Sequence, residues 1–177
     1  MLIRARIVLP MDSPALENGA VRIENGQIVA LGPAKALPAF PGETITELGE
    51  SILMPGLINA HCHLDYSSLK NAISRPKSFT EWVLRLNSVK RQLSSEDILQ
   101  SIARGYEEAA RFGTTTVCTM VAFPELMARI PPPPLRTWWF YEMIDIRHRE
   151  TSEAVVEGAL EFFGERQDPL SRFGLNP

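Results

Sequence analysis

From residue 52 onward, strand-like and helix-like segments take turns, and this alternation limits most strongly what the chain can fold into. The apolar run "SILMPGLI" reads as a strand. "SFTEWVLRLNSVKRQL" and "SSEDILQSIARGYEEAARFG" read as helices, and "TTTVCTMVAF", rich in β-branched residues, as a buried strand. Pro124 can open a short helix over "PELMARI", because proline is tolerated in a first turn. "PPPP", residues 131–134, is an extended connection. "RTWWFYEMIDI" is another strand, "SEAVVEGALEFFGER" another helix, and "RFGLNP" the start of one more strand. Strands that alternate with helices build βαβ units and a parallel sheet.

The two longer helices carry end signals. Ser78 is placed to cap the first, and Glu81, three residues on, completes a capping box. Trp82, Leu86 and Val89 recur on one face. In the second, Ile98, Ile102, Tyr106 and Ala109 form an apolar stripe, and Gly113 is placed to end it.

Residues 1–54 have a different texture and read as all-β. "LIRARIVL" and "ETITELG" alternate. "AVRIENGQIVALG" is two strands joined by Asn25-Gly26, a pair suited to a type I′ turn because both positions need positive φ. Such short strands fit a small sheet or half a sandwich. The expected organisation is a β-rich domain over 1–54 and an α/β domain over 55–177.

With 45% hydrophobic and 22% charged residues the chain is too apolar for disorder. A net charge of −3 gives no electrostatic reason to expect nucleic acid or an anionic membrane as partner. No apolar stretch approaches the ~20 residues of a spanning helix, and "MLIRARIVLPMDSP" lacks the pattern of a secretory signal. The two cysteines, Cys62 and Cys118, form no Cys-x-x-Cys pair. They read as buried, reduced thiols of a cytoplasmic protein.

The chemistry gathers in "NAHCHLDYSS", residues 59–68. Residues i and i+2 of a strand share a face about 7 Å apart, so His61 and His63 project together while Cys62 faces away. Imidazole is a common metal ligand near neutral pH, and two on one rigid strand can share an ion. The pair also sits at the C-terminal end of its strand, where α/β enzymes place their chemistry. The bland alternative is a histidine pair that binds nothing.

"ILMPGLINAHCHLD" resembles the first barrel strand of the amidohydrolase superfamily, in particular its cytosine deaminase and chlorohydrolase group. "VRIENGQIVALG", "FTEWV", "GTTTV" and "FGLNP" follow that group's order along the whole chain. "HLDYSS" and "FTEWV" are also similar to the aminodeoxyfutalosine deaminases. The resemblance implies a small β-domain, part of a β-sandwich, followed by the first half of a (β/α)8 barrel. It implies that His61 and His63 bind one divalent metal, Zn²⁺ or Fe²⁺. A metal-bound hydroxide would then attack a purine-like, pyrimidine-like or related carbon and release ammonia. Some relatives release chloride instead, so hydrolytic dechlorination is a second reading.

The group's His-x-x-Glu segment and late aspartate, a third ligand, a proton shuttle and a fourth ligand, do not occur in these 177 residues, so no catalytic residue is assigned. His148, in "DIRHRE", reads as a solvated loop residue. Asp65 and Glu142 lie near strand ends and are candidates for substrate contact or for a hydrogen bond to a ligand histidine; a structural salt bridge is the other reading of Glu142. Trp82 can line a pocket or pack in the core. Thr114, Thr115 and Thr116 read as strand packing. A (β/α)8 barrel takes about 250 residues, so residues 55–177 have room for about half of one. The chain is therefore expected to be the N-terminal part of a hydrolase acting on a small molecule, and inactive alone. Competing readings are a non-catalytic half-barrel that binds a complementary C-terminal partner or its own copy, and a complete small α/β protein whose histidines bind nothing.

Overall fold

The computed structural model describes residues 1–142, 152–164 and 168–176. The chain divides into two compact units, Met1–Pro55 and Gly56–Pro177.

The first unit is a five-stranded mixed sheet of β1 (Leu2–Val8), β2 (Leu16–Glu24), β3 (Gln27–Pro33), β4 (Ile45–Glu47) and β5 (Ile52–Leu53). The order is β3-β2-β1-β4, with β5 also pairing β1. β1–β2 and β2–β3 are antiparallel, while β4 and β5 run parallel to β1. The β2–β3 hairpin closes on Asn25 (φ 50°) and Gly26 (φ 75°), the two positive φ values of a type I′ turn. Ala5, Val8 and Val21 form a small core, with Leu16, Ile23 and Leu53 packed on it. Alternation along β1 sets Arg4 and Arg6 on a common face, where Arg4 meets Glu47 at 2.8 Å and Arg6 meets Glu17 at 3.3 Å.

The long connection from β3 to β4 is pinned by an ion pair that the sequence does not announce. Arg22 donates to both carboxylate oxygens of Glu43, at 2.8 and 3.0 Å, and to the Pro38 carbonyl at 2.6 Å. Both side chains are buried, 8% and 7% exposed. The guanidinium also lies 3.8 Å from the Phe40 ring centroid. The hydrogen bonds from Arg22 and from the Phe40 amide hold the Glu43 carboxyl down, from an ordinary 4.5 to about 2. A carboxylate with a depressed pKa stabilises the fold fully above its unfolded value and progressively less as pH falls toward its folded value. Between pH 4.5 and 2 this unit is therefore expected to lose stability more steeply than its Glu43→Gln variant, which has no such proton to take up. Urea midpoints of the two proteins measured across that range test this; parallel curves would remove the ion pair from the account.

The second unit holds four parallel strands in the order β6-β7-β8-β9: β6 (Leu57–Cys62), β7 (Thr114–Val121), β8 (Arg136–Glu142) and β9 (Ser171–Asn176). Helices α1 (Phe79–Lys90) and α2 (Ser95–Arg111) connect β6 to β7. A 3₁₀ turn, Pro124–Arg129, and the proline run connect β7 to β8, and α3 (Ser152–Gly164) lies between β8 and β9. This is the first half of a (β/α)8 barrel, preceded by a small β-domain.

Local chemistry explains the elements. Ser94 and Asp97 form a reciprocal capping box at the start of α2, and Gly113 follows its end at φ 83°. Ile98, Ile102 and Tyr106 bury their side of α2 against Val117 and Val121 of β7 and Trp139 of β8. α1 behaves differently. Ser78 accepts from the Glu81 amide at 3.1 Å, but Glu81 returns its carboxylate to the Lys77 amide at 2.6 Å, one residue short of a full capping box. α1 buries no residue fully, and Trp82 is 39% exposed. "PELMARI" winds as a 3₁₀ turn, not an α-helix.

Candidate functional site

β6 ends at Cys62, and the chain then tightens into a 3₁₀ turn, Leu64–Leu69, entered from His63. This turn is fastened on two sides. The Leu64 amide donates to Thr119 Oγ1 of β7 at 3.3 Å. Ser101 of α2 accepts from the Ser68 amide at 2.8 Å and donates to the Leu64 carbonyl at 3.4 Å. A Cβ on Gly105 would stand 2.5 Å from Ser67 Oγ and 2.9 Å from a Leu64 methyl, so the absence of a side chain lets α2 press onto the turn. The histidines therefore stand on a braced platform at the C-terminal end of the first parallel strand.

His61 and His63 have ring centroids 5.6 Å apart, one ring edge-on to the other at 66°. His61 is exposed and His63 half-buried. Burial pushes the His63 pKa down, Glu142 opposes this, and His61 and Lys90 add to it. Neutral imidazole is the form that ligates metal.

Asp65 lies in the 3₁₀ turn with its side chain 5% exposed. Its nearer oxygen is 3.9 Å from His63 Nδ1, too long for a hydrogen bond. Neither carboxylate oxygen, nor His63 Nδ1, has a hydrogen-bond partner among the described residues. Burial raises the Asp65 carboxyl to about 7, with Lys90 opposing and Glu142 adding. Glu142 ends β8, half-buried, and its charge reaches His63, Asp65 and Tyr66. Trp82 stands apart on α1, its ring 5.6 Å from Phe79. His148 lies outside the described residues.

Three further residues belong to this neighbourhood. Tyr66 stacks on His63, and Lys90 of α1 reaches both the Tyr66 hydroxyl and the Phe123 ring. The spacing of His63 and Tyr66 in "HLDY" is the signal that points to the first contact, since side chains three apart eclipse in a 3₁₀ turn. Nothing in the sequence points to Lys90. Cys62 packs against the hydrophobic core, and burial pushes its thiol up to about 11, which suits a packing role.

The donor set fits a divalent ion in part. Two imidazoles lie side by side, and a buried carboxyl group stands 3.9 Å from the Nδ1 of one. Among the described residues no third His, Cys, Asp or Glu joins them in a metal-binding group. Catalytic zinc typically has three protein ligands and an open position.

The sequence model of the amidohydrolase family matches residues 52–174. The chain belongs to the amidohydrolase family. A 5-methylthioadenosine/S-adenosylhomocysteine deaminase of Pyrococcus furiosus is 28% identical over 182 residues, covering 100% of this amidohydrolase chain and 42% of the relative. A zinc-bound adenosine deaminase of Xanthomonas campestris superposes with a TM-score of 0.78 at 26% identity, covering 98% of this chain and 42% of that one. An aminofutalosine deaminase of Helicobacter pylori shares the fold with a TM-score of 0.72 at 20% identity, over 98% and 43% of the two chains. The chain thus spans less than half the length of these relatives. No helix among the described residues is long and apolar enough to cross a membrane.

Proposed function

We propose that this chain forms the part of a metal-dependent deaminase that carries its first two metal ligands, His61 and His63. Residues 1–54 are the β-rich domain and 55–177 the partial barrel. The observation that carries the reading is the proximity of two imidazoles, 5.6 Å between centroids, at the C-terminal end of the first parallel strand. The family match and the deaminase names of the relatives support it.

His61 and His63 hold the ion, Zn²⁺ or Fe²⁺, and the bound zinc of the Xanthomonas relative favours zinc. When bound, such an ion supplies Lewis-acid activation of water near neutral pH. Asp65 supports His63 as a ligand by accepting a hydrogen bond from its Nδ1–H once the 3.9 Å gap closes. Trp82 offers an exposed indole face and Glu142 a carboxylate to an adenosine-like substrate. In the net reaction water adds to the ring carbon that bears the amino group, the C–N bond breaks and ammonia leaves. Further ligands and the proton shuttle come from outside the described residues, and a cytoplasmic setting fits the free thiols of Cys62 and Cys118.

The test is ammonia release from adenosine, 5-methylthioadenosine and S-adenosylhomocysteine by the protein that carries these 177 residues. Release that chelation abolishes and zinc restores is expected. Chloride release from a chlorinated heterocycle, with no ammonia from any amine, would replace deamination by dechlorination. The isolated 177-residue chain is expected to show no turnover; sustained turnover by it would overturn the incomplete-site reading.

A further inference from the structure

An imidazole has a broad torsion about the bond that joins it to its side chain, so something must fix its ring plane before it can aim a lone pair. The Nδ1 of His63 makes no hydrogen bond among the described residues. What lies against the ring is Tyr66. The centroids are 4.6 Å apart and the planes differ by 4°. The Tyr66 amide donates to the His63 carbonyl at 3.0 Å, so the turn that brings the rings together also holds their backbones.

Tyr66 is itself held at its far end. Lys90, in the last turn of α1, donates from its ammonium to the Tyr66 hydroxyl. The same ammonium lies 4.6 Å from the Tyr66 ring centroid and 5.3 Å from that of Phe123. Lys90 is half-buried, and these aromatic faces replace part of the water it gives up. α1 fully buries none of its residues, so an ion–phenol contact of this kind is a costly way merely to attach a helix. It makes sense as a way to fix a ring.

We propose that Tyr66 and Lys90 are positioning residues that set the ring plane of His63, Tyr66 by stacking and Lys90 by anchoring the phenol. This rests on the reading that His63 holds a divalent ion. The titratable groups around the stack are Lys90, Asp65, Glu142 and His61, and the proposal needs none of them to change protonation.

Two readouts separate this role from simple stabilisation. The first is the NMR spectrum of the His63 ring in the metal-free chain, where a stacked phenol imposes an upfield ring-current shift. The second is zinc affinity by calorimetry. Tyr66→Leu is expected to remove the ring-current shift and to weaken zinc about tenfold, the low end of what loss of a supporting partner causes. Lys90→Met and Tyr66→Phe keep the ring but lose the anchor; each is expected to reduce the shift and the affinity by less, and Lys90→Arg to restore both. Folded Tyr66→Leu and Lys90→Met proteins with the wild-type His63 spectrum and affinity would overturn the proposal. Should Tyr66→Leu fail to fold, Tyr66→Phe and Lys90→Met still decide it. If the wild-type chain takes up no zinc while these variants shift the His63 resonances, the positioning stands and the metal reading falls.

Discussion

Replacing Trp139 by alanine is expected to cost about 3–5 kcal/mol, the range for deleting a fully buried aromatic side chain. Trp139 is 2% exposed and is the largest of the fully buried side chains. It sits in the middle of β8, opposite Thr119 on β7 and Phe173 on β9. From there it touches the core built by α2, the Pro124–Arg129 turn and α3. Tyr106 meets it edge-on at 6.4 Å, and its indole N–H donates to Ser171 Oγ at 3.0 Å. Alanine would leave a cavity continuous with a void of about 20 Å³ bounded by Asp65, Thr119 and Met127. It would also strip Ser171, 4% exposed, of that donor. Trp139→Phe keeps most of the volume and loses the hydrogen bond, so its cost is expected to be well below that of alanine. Urea denaturation followed by far-UV circular dichroism measures both. Equal costs would mean that the hydrogen bond, not the volume, dominates.

The neighbouring Trp138 shows why such a residue is hard to pick out of a sequence. "TWWFYE" is apolar on both faces of the strand, as suits a sheet covered on both sides. Nothing local says that Trp139 goes inward while Trp138 stays 43% exposed. Elements with a local cause were legible. Asn25-Gly26 specifies its turn through backbone φ, and the stripe Ile98, Ile102, Tyr106 specifies the buried face of α2 through helical spacing. Features made by distant partners were not. Arg22 and Glu43 are 21 residues apart and look like two of many surface charges until the β3–β4 connection folds over them. Ser101 and Gly105 look like weak points in a helix, yet their small size is what admits the turn carrying His63.

The site divides along the same line. His61 and His63 were legible through the period of two of a strand, although β6 ends at Cys62 and His63 stands one residue beyond it, at the entry to the 3₁₀ turn. Asp65 was legible as a neighbour in sequence, though its burial follows from the 3₁₀ turn and from α2 behind it. Tyr66 carries a readable spacing whose meaning depends on that turn being 3₁₀. Lys90 comes to the site only through the path of α1, which no local pattern fixes. Trp82, the aromatic that stands out most in "FTEWV", is 39% exposed on α1.

Removing either histidine is expected to affect metal binding more than any other single change in the chain. On the proposed reading both imidazoles ligate the ion, and with one removed the other is a single point of attachment that any surface histidine matches. His61→Ala and His63→Ala are each expected to lower zinc affinity by more than the roughly 10–100-fold that follows loss of a supporting partner. His63→Ala should also release the stacked Tyr66 ring, so its Tyr66 resonances should move, whereas His61→Ala should leave them near their wild-type positions. His61 is exposed and meets His63 only by ring edge, so His61→Ala removes little packing and its thermal stability without metal should stay close to wild type. Calorimetric titration with zinc, alongside metal-free melting curves, separates ligand loss from damage to the fold. Unchanged zinc affinity in both variants would mean that the ion, if bound, is held elsewhere. A loss confined to His63→Ala would mean that the centre is built around the half-buried imidazole and the Asp65 beside it, with His61 a bystander on the strand.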